Sequence, residues 1–322
     1  MTENKPLLSI CIPTVVRAEY LRKCLESLVE QPEFFTEDVE IIISDNASWD
    51  KGATEAVGKE YAEKYKNIHY FRNAKNVDDR NFPMALSRAN GILRKLSNDS
   101  IIYRPGTIAY MCDMARKYMD EKPHLFFLNP RVDQSHKKPK VVDFNHFMKQ
   151  TSFHATWIGS FAIWDTECQD LMEDTSGCDL KLWQVWKLCR MFEKRNQGVV
   201  LYKRFADNQQ LKNKLLTINH DKVFYNNFMS ILRPEVEKGL LSESCLKKIE
   251  KHLLFDFFTN WMLLWELQIS GYTFTANQDF KQRVLDIYKD KPYYRLFLIY
   301  YQFLKFLAKR GVLEAAMGRK RR

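Results

Sequence analysis

Two short apolar runs, each breaking into polar residues at its carboxyl end, constrain this chain more than anything else in it. The first is Leu7-Leu8-Ser9-Ile10-Cys11-Ile12-Pro13-Thr14, and the second is Val39-Glu40-Ile41-Ile42-Ile43-Ser44-Asp45-Asn46-Ala47-Ser48. Between them, residues 20–30 carry Tyr20, Leu21, Cys24, Leu25 and Leu28 at the spacing of one helix face. Strand, helix, strand in that order is a βαβ unit, which is right-handed and feeds a parallel sheet. Ligands of open parallel sheets sit outside the carboxyl ends of the strands. Thr14, Arg17, Asp45, Asn46 and Ser48 are therefore the first candidates for a site.

The alternation continues downstream. Residues 53–65 favour a helix, Ile68-His69-Tyr70-Phe71 reads as a third strand, and a polar loop over 72–80 leads to a helix expected over 81–93. Ser97-Asn98-Asp99-Ser100 has turn chemistry, Ile101-Ile102-Tyr103 is extended, and Pro105-Gly106 ends that segment and opens a helix over 107–118. Leu125-Phe126-Phe127-Leu128 is another buried strand, 131–149 reads as an exposed basic loop, and 157–164 as the last clear strand. A helix follows over 180–192, then Val199-Val200-Leu201-Tyr202 as an edge strand. Beyond about residue 218 the texture becomes helical and aromatic, over 223–232, 245–270 and 293–313. The expectation is an α/β domain over 1–217, a mostly parallel sheet flanked by helices, with a helical C-terminal region over 218–322 capping it.

Composition removes several function classes. A chain of 322 residues with 45% hydrophobic content is long enough for a sizeable core. The balance of 50 Lys and Arg against 40 Asp and Glu, net +10, favours anionic partners. No zinc spacing, helix-turn-helix or aromatic-and-basic RNA motif accompanies that charge, so nucleic acid is not an expected partner. No GxGxxG follows the first strand, which argues against a dinucleotide oxidoreductase. Seven cysteines without a CxxC pair read as reduced thiols of a cytoplasmic protein. The first residues lack an apolar signal region, and no run reaches the roughly 18 uncharged apolar residues of a membrane span.

Residues 8–21, the Ile42-Ile43-Ser44-Asp45-Asn46-Ala47-Ser48 end, Arg72-Asn73-Ala74-Lys75-Asn76 with Asn81 and Ala89-Asn90-Gly91, and residues 96–106 together resemble the GT-A-fold glycosyltransferases of family 2. These are inverting sugar transferases of bacterial surface polysaccharides. The likeness is firmest over residues 7–108, and nearest to transferases of capsule, O-antigen and lipooligosaccharide synthesis. It implies a nucleotide-sugar donor, a glycan or lipid-linked acceptor, and a GT-A sheet. Under it, Asp45 is the nucleotide-binding carboxylate, with Pro13, Thr14, Arg17, Asn46, Ser48, Asn76, Asn81 and Asn98 around the base, ribose and phosphates. Asp45 could equally cap the following helix or close an Asx turn, and Arg17 could be a solvated helix-start residue.

The family holds Mg²⁺ or Mn²⁺ through an Asp-X-Asp cluster, where the ion bridges two phosphates and makes the leaving group less basic. Counting from Gly91 and from Pro105-Gly106 sets Asp99-Ser100-Ile101 in that place, with Asp99 the surviving ligand; a shift of one residue makes it Asn98-Asp99-Ser100. Three outcomes stay open: a weaker metal site at Asp99, cations such as Arg104 and the basic loop taking over, or lost catalysis. Single displacement needs one general base. By resemblance this is an acidic residue at the start of a later helix, for which Asp179 fits first, with Asp165 and Glu167 behind it. An N-cap role for Asp179 is the structural alternative. Residues 303–313, followed by Gly318-Arg319-Lys320-Arg321-Arg322, join an apolar stripe to a basic end, which suits a peripheral helix on the anionic inner face of the cytoplasmic membrane. A catalytically silent nucleotide-binding or scaffold member of the same fold is the alternative function.

Overall fold

The structure, a computed structural model, describes residues 5–130, 134–209, 214–216, 219–267, 272–274 and 279–310. At its centre β1 (Leu8–Thr14) and β2 (Val39–Asp45) run parallel, with Leu8 opposite Val39 and Thr14 opposite Asp45. β3 (Ile68–Arg72) extends the sheet beyond β2, and β4 (Leu93–Leu96) pairs in parallel with the other side of β1. β8 (Ala162–Trp164) closes the row antiparallel to β4, so the order is β3-β2-β1-β4-β8. Both faces of β1 and β2 are covered, which is why their apolar runs are continuous rather than alternating.

The flanking helices are α1 (Ala18–Val29), α2 (Ala53–Lys64), α3 (Asn81–Ser87) and α4 (Thr107–Tyr118). α1 buries Leu21, Cys24, Leu25 and Leu28, the face anticipated from spacing. Gly106, in the left-handed region at φ 71°, turns the chain into α4. The first two amides of α4 are then capped from a distance, since Gln31 Oε1 accepts from the Thr107 and Ile108 N–H groups at 2.9 and 3.0 Å. β5 (Ile101–Tyr103) pairs antiparallel with β10 (Ala206–Asn208). A smaller sheet has the order β6 (His124–Phe127), β9 (Gly198–Leu201), β7 (Val141–Val142).

Several local expectations are corrected. The helix expected over 81–93 stops at Ser87, because Leu93–Leu96 is needed as the inner strand between β1 and β8. Arg94 and Lys95 hid that strand in the sequence. Residues 131–133 lie outside the described set, and the rest of the supposed basic loop contains β7 and α5 (Phe144–Thr151). Asp143 caps α5 by accepting the His146 N–H at 2.7 Å, and Phe144, Phe147 and Met148 are buried. Within 157–164 the strand is confined to the last three residues, because Ile158–Ser160 is a 3₁₀ turn. β9 is the middle strand of its sheet, not an edge. The helix expected from 180 is interrupted at Lys181, φ 58°, separating α6 (Ser176–Asp179) from α7 (Trp183–Lys194).

The described chain divides into two compact units. One holds the residues through Gln209 together with Ile231–Ser242; the other holds Gln210–Ser230 and the residues from Glu243 on. The second unit contains β11 (Lys214–Leu216) paired in parallel with β12 (Tyr272–Phe274). Its helices include α9 (Glu243–His252), α10 (Thr259–Glu266), α11 (Phe280–Tyr288) and α12 (Tyr294–Lys309). α8 (Phe228–Glu237) precedes them and crosses a boundary between the units. The core of the second unit is aromatic, with Phe228, Phe258, Phe280, Tyr288, Phe297 and Tyr301 buried. All seven cysteines are free thiols.

Candidate functional site

At the carboxyl ends of β1 and β2 the backbone closes on itself, the Asn46 N–H donating to the Thr14 carbonyl at 2.9 Å. Asp45 lies directly beneath and is wholly buried. One of its oxygens accepts from the Ser48 N–H at 2.9 Å and the Ser48 hydroxyl at 2.6 Å, the other from the Tyr70 hydroxyl at 2.7 Å. Burial, then the Asp45 carboxylate, raises the Tyr70 pKa and keeps that hydroxyl protonated. Ser48 Oγ also accepts the Val16 N–H at 2.8 Å, so the two strand-end turns are stitched through Asp45. Both Asp45 oxygens thus take part in shaping the cradle, and Arg72 Nε lies 3.8 Å from the one that Tyr70 holds.

The asparagines divide likewise. Asn46 Oδ1 accepts from Asn73 and the Val77 N–H, while its amide donates to Asn76 Oδ1 at 2.8 Å, folding the 73–78 loop over the strand end. Asn81 is buried; its amide donates to the Ser44 carbonyl and its oxygen accepts from the Ser44 hydroxyl and Asn73, so it packs behind the cradle rather than lining it. Arg88, unmarked in the sequence reading, donates to Ser44 Oγ and Asn73 Oδ1 and lies over the Phe71 ring. Asn76 stays exposed, and Pro13 half-buried at the lip.

Thr14, Arg17 and Asp99 converge. Thr14 Oγ1 donates to one Asp99 oxygen at 2.9 Å and Arg17 Nη1 to the other at 2.8 Å. The Asp99 side chain is 4% exposed and that of Arg17 27%. Ile101 is the first residue of β5 and fully buried, so the polar residues of the turn are Asn98-Asp99-Ser100. Asn98 Oδ1 is buried with no hydrogen-bond partner among the described residues. This turn does not fit a divalent ion. A hard cation asks for several oxygens bearing net negative charge, whereas the single carboxylate here is already shared by a hydroxyl and a guanidinium. Among the described residues no group of three His, Cys, Asp or Glu converges on one point. Arg104 is taken up by Asp207, at 2.9 Å.

The candidate bases separate by place. Asp179 ends α6, is 70% exposed, and meets Arg80 at 2.9 Å in the loop after β3, on the side of the sheet where the cradle lies. Asp165 follows β8, its N–H donating to the Ile92 carbonyl just before β4 begins. That is the amino edge of the sheet, about 20 Å from the cradle by strand length. Burial opposes its charge, but Lys122 and Lys5 hold its carboxyl below the usual range. Asp165 is thus removed from the site, and Glu167 stands with it, 3.6 Å from buried His124. Asp79 was missed. Burial pushes its carboxyl up to about 6, with Lys181 3.7 Å away. Nothing in the sequence distinguishes it from Asp78 beside it. An open hollow of about 490 Å³, lined by Phe35, Glu40, Lys64, Tyr65 and His69 among others, lies where the parallel strands start and takes no part in this cradle.

Parallel strands in this order, a polar cradle at their carboxyl ends and a smaller mixed sheet define an α/β protein of the GT-A fold. The family model Glycosyl transferase family 2 matches residues 9–91, from β1 to the glycine before β4, about a quarter of the chain. The abequosyltransferase RfbV of Salmonella typhimurium is 47% identical over 87 residues, which span 26% of this chain and 25% of that relative. An uncharacterized glycosyltransferase of Rickettsia felis is 31% identical over 118 residues, 30% of this chain and 19% of its own. Among solved structures, S. aureus TarS 1–349 in complex with UDP-GlcNAc superposes with TM-score 0.57 at 17% identity, covering 94% of this chain and 92% of that one. The mannosyltransferase PcManGT from Pyrobaculum calidifontis, in complex with GDP-Man and Mn²⁺, gives TM-score 0.52 at 14% identity, covering 95% and 89%. The family match ends before the Asn98-Asp99-Ser100 turn, the segment whose carboxylates are reduced to one.

Proposed function

We propose that this chain transfers a sugar, with inversion, from a nucleotide-sugar donor to a hydroxyl of a glycan or lipid-linked acceptor in surface-polysaccharide synthesis. One observation carries the reading: Thr14, Arg17 and Asp99 meet at the carboxyl end of the sheet, inside or adjoining the family-matched segment. Arg17, Asn76 and Asn98 supply polar groups to the donor, Pro13 and Thr14 line the lip, and Asp45, Asn46, Ser48 and Asn81 keep the shape. Asp179 takes the acceptor proton; Asp79, on the same rim, is the second carboxylate in reach of that role. The acceptor oxygen closes a bond to the anomeric carbon as the bond to the diphosphate oxygen breaks. That electron pair leaves with the diphosphate, and the hydroxyl proton passes to the carboxylate.

The acceptor side of the reading rests on α12. Leu296, Ile299, Phe303 and Phe306 form an exposed stripe at intervals of three, four and three, while Phe297, Tyr301 and Ala308 face inward. Exposed Arg295, Lys309 and Arg310 flank or end the stripe, and no acidic residue falls between Asp290 and Glu314. Such a face suits an anionic lipid surface. Of the segment first suspected, residues 311–322 lie outside the described set. Among the described residues no helix is long and apolar enough to cross a membrane.

The test is release of nucleoside diphosphate from UDP-, GDP-, CDP- and dTDP-sugars with a bacterial lipid extract as acceptor, and the anomeric configuration of the product by NMR. Asp179→Asn is expected to lower kcat by about 10²–10⁴-fold. If that loss falls on Asp79→Asn alone, the base is Asp79; a retained configuration overturns the single-displacement mechanism. The lone carboxylate of the turn favours a second reading, a silent nucleotide-binding member of the fold, which predicts binding without release.

A further inference from the structure

We propose that Arg17 is the positive charge facing the leaving diphosphate, in the place where a divalent cation would otherwise stand, so that donor binding by this chain is metal-independent. The inference deepens the nucleotide-sugar reading and rests on it.

Three observations on the same turn support it. The donor set has contracted, since Asn98 and Ser100 are neutral and Ile101 belongs to the core, leaving one carboxylate. That carboxylate is then neutralised, one oxygen held by the Arg17 guanidinium at 2.8 Å and the other by Thr14. A divalent ion at Asp99 would have to displace a like-charged group from a nearly buried partner. Arg17 itself is positioned by backbone rather than by chance. Val16 turns the chain at φ 53°, and the Arg17 N–H donates to Thr54 Oγ1 at 3.0 Å, a hydroxyl that is itself bound to Asp50. α1 begins at the next residue, which fixes the backbone from which the side chain leaves. Nη1 on Asp99 is the guanidinium's one side-chain hydrogen bond among the described residues, which leaves Nε and Nη2 for phosphate oxygens. Asn98 Oδ1, buried and without a hydrogen-bond partner among the described residues, points to a donor group that arrives with the ligand. Burial holds Asp99 ready to orient Arg17 through this pair, while the guanidinium keeps the exposure needed to meet an anion.

The test is calorimetric titration of the full chain with UDP, GDP, CDP and dTDP, each in EDTA and in Mn²⁺. Wild type is expected to bind one of them with affinities within about twofold in the two buffers. Arg17→Ala is expected to weaken that nucleotide about 10- to 100-fold and to leave the parent nucleoside unchanged, with Arg17→Lys recovering part of the loss. The double variant Arg17→Ala with Asp99→Asn removes the unpaired carboxylate and should show the same loss, which separates phosphate contact from misfolding. Wild-type affinity that rises tenfold or more with Mn²⁺, or Arg17 variants that bind as wild type in EDTA, would overturn the inference while leaving the transferase reading standing. If no diphosphate binds in either buffer, the nucleotide-sugar reading falls first and this inference with it.

Discussion

Asp45 shows how a residue's position can be read from the sequence while its partners cannot. A carboxylate at a strand end is a natural ligand for a ribose or a base, and its position opposite Thr14 is as the strand pattern implied. What the pattern does not contain is Tyr70, 25 residues away, whose hydroxyl arrives from β3 and donates to the second carboxylate oxygen. Replacing Asp45 by Ala orphans Tyr70 and both Ser48 donors, and is expected to destabilise the fold by about 2–4 kcal/mol in urea unfolding. An Asp45→Ala protein as stable as wild type, yet unable to bind nucleotide, would show that the carboxylate serves a ligand after all.

Lys95 is the second residue whose meaning comes only from its surroundings. It is fully buried in β4, donates to the Gly159 and Leu96 carbonyls at 2.6 and 3.0 Å, and lies against the Phe205 and Phe127 rings. Burial, opposed only weakly by the Cys24 and Cys11 thiols, lowers its pKa to about 7. The unfolded chain keeps this proton up to its ordinary pKa near 10.4, so the unfolded state binds more protons between the two values and stability rises with pH across that window. The buried thiols of Cys11 and Cys24, raised by burial, act in the opposite sense above pH 9. The measurable quantity is thus a difference. Wild-type stability minus that of Lys95→Met is expected to climb by on the order of 2–5 kcal/mol from pH 7 to pH 10. A flat difference would mean that the lysine stays charged in the fold.

Among the elements, helices with one strong apolar face were legible and strands carrying charge were not. α1 and α4 declared themselves through spacing and through Pro105-Gly106. β4 did not, because a lysine and an arginine within four residues contradict the composition of an inner strand. α12 is legible in a different way: its buried residues alone would make it an ordinary packed helix, but Leu296, Ile299, Phe303 and Phe306 add an exposed apolar stripe. Vesicle flotation of the full chain is expected to show binding to phosphatidylglycerol-containing vesicles that falls with salt and is weak on phosphatidylcholine. Ile299→Glu with Phe303→Glu should abolish it while leaving the far-ultraviolet circular dichroism unchanged. If the double variant instead converts an oligomer to a monomer with vesicle binding intact, the stripe pairs two copies of this chain. A two-fold pairing is the poorer fit on charge, since it sets Arg295, Lys309 and Arg310 against their own copies.

Over the whole molecule, the family match and the fold cover very different extents. The family match occupies residues 9–91, while the structural likeness reaches 94% of the chain at identities too low to show in the sequence. The N-terminal βαβ unit, the polarity of its strand ends and hence the edge on which a ligand would sit follow from local pattern, because apolar periodicity and turn chemistry act over a few residues at a time. Which polar groups at that edge remain free is a long-range matter. Asp45 is partnered by Ser48 and Tyr70, Asp99 by Thr14 and Arg17, and Asp165 lands at the opposite edge because β8 runs antiparallel to β4. A buried polar group must be satisfied by whatever the fold brings to it, so tertiary structure alone decided how each polar side chain at that edge is partnered.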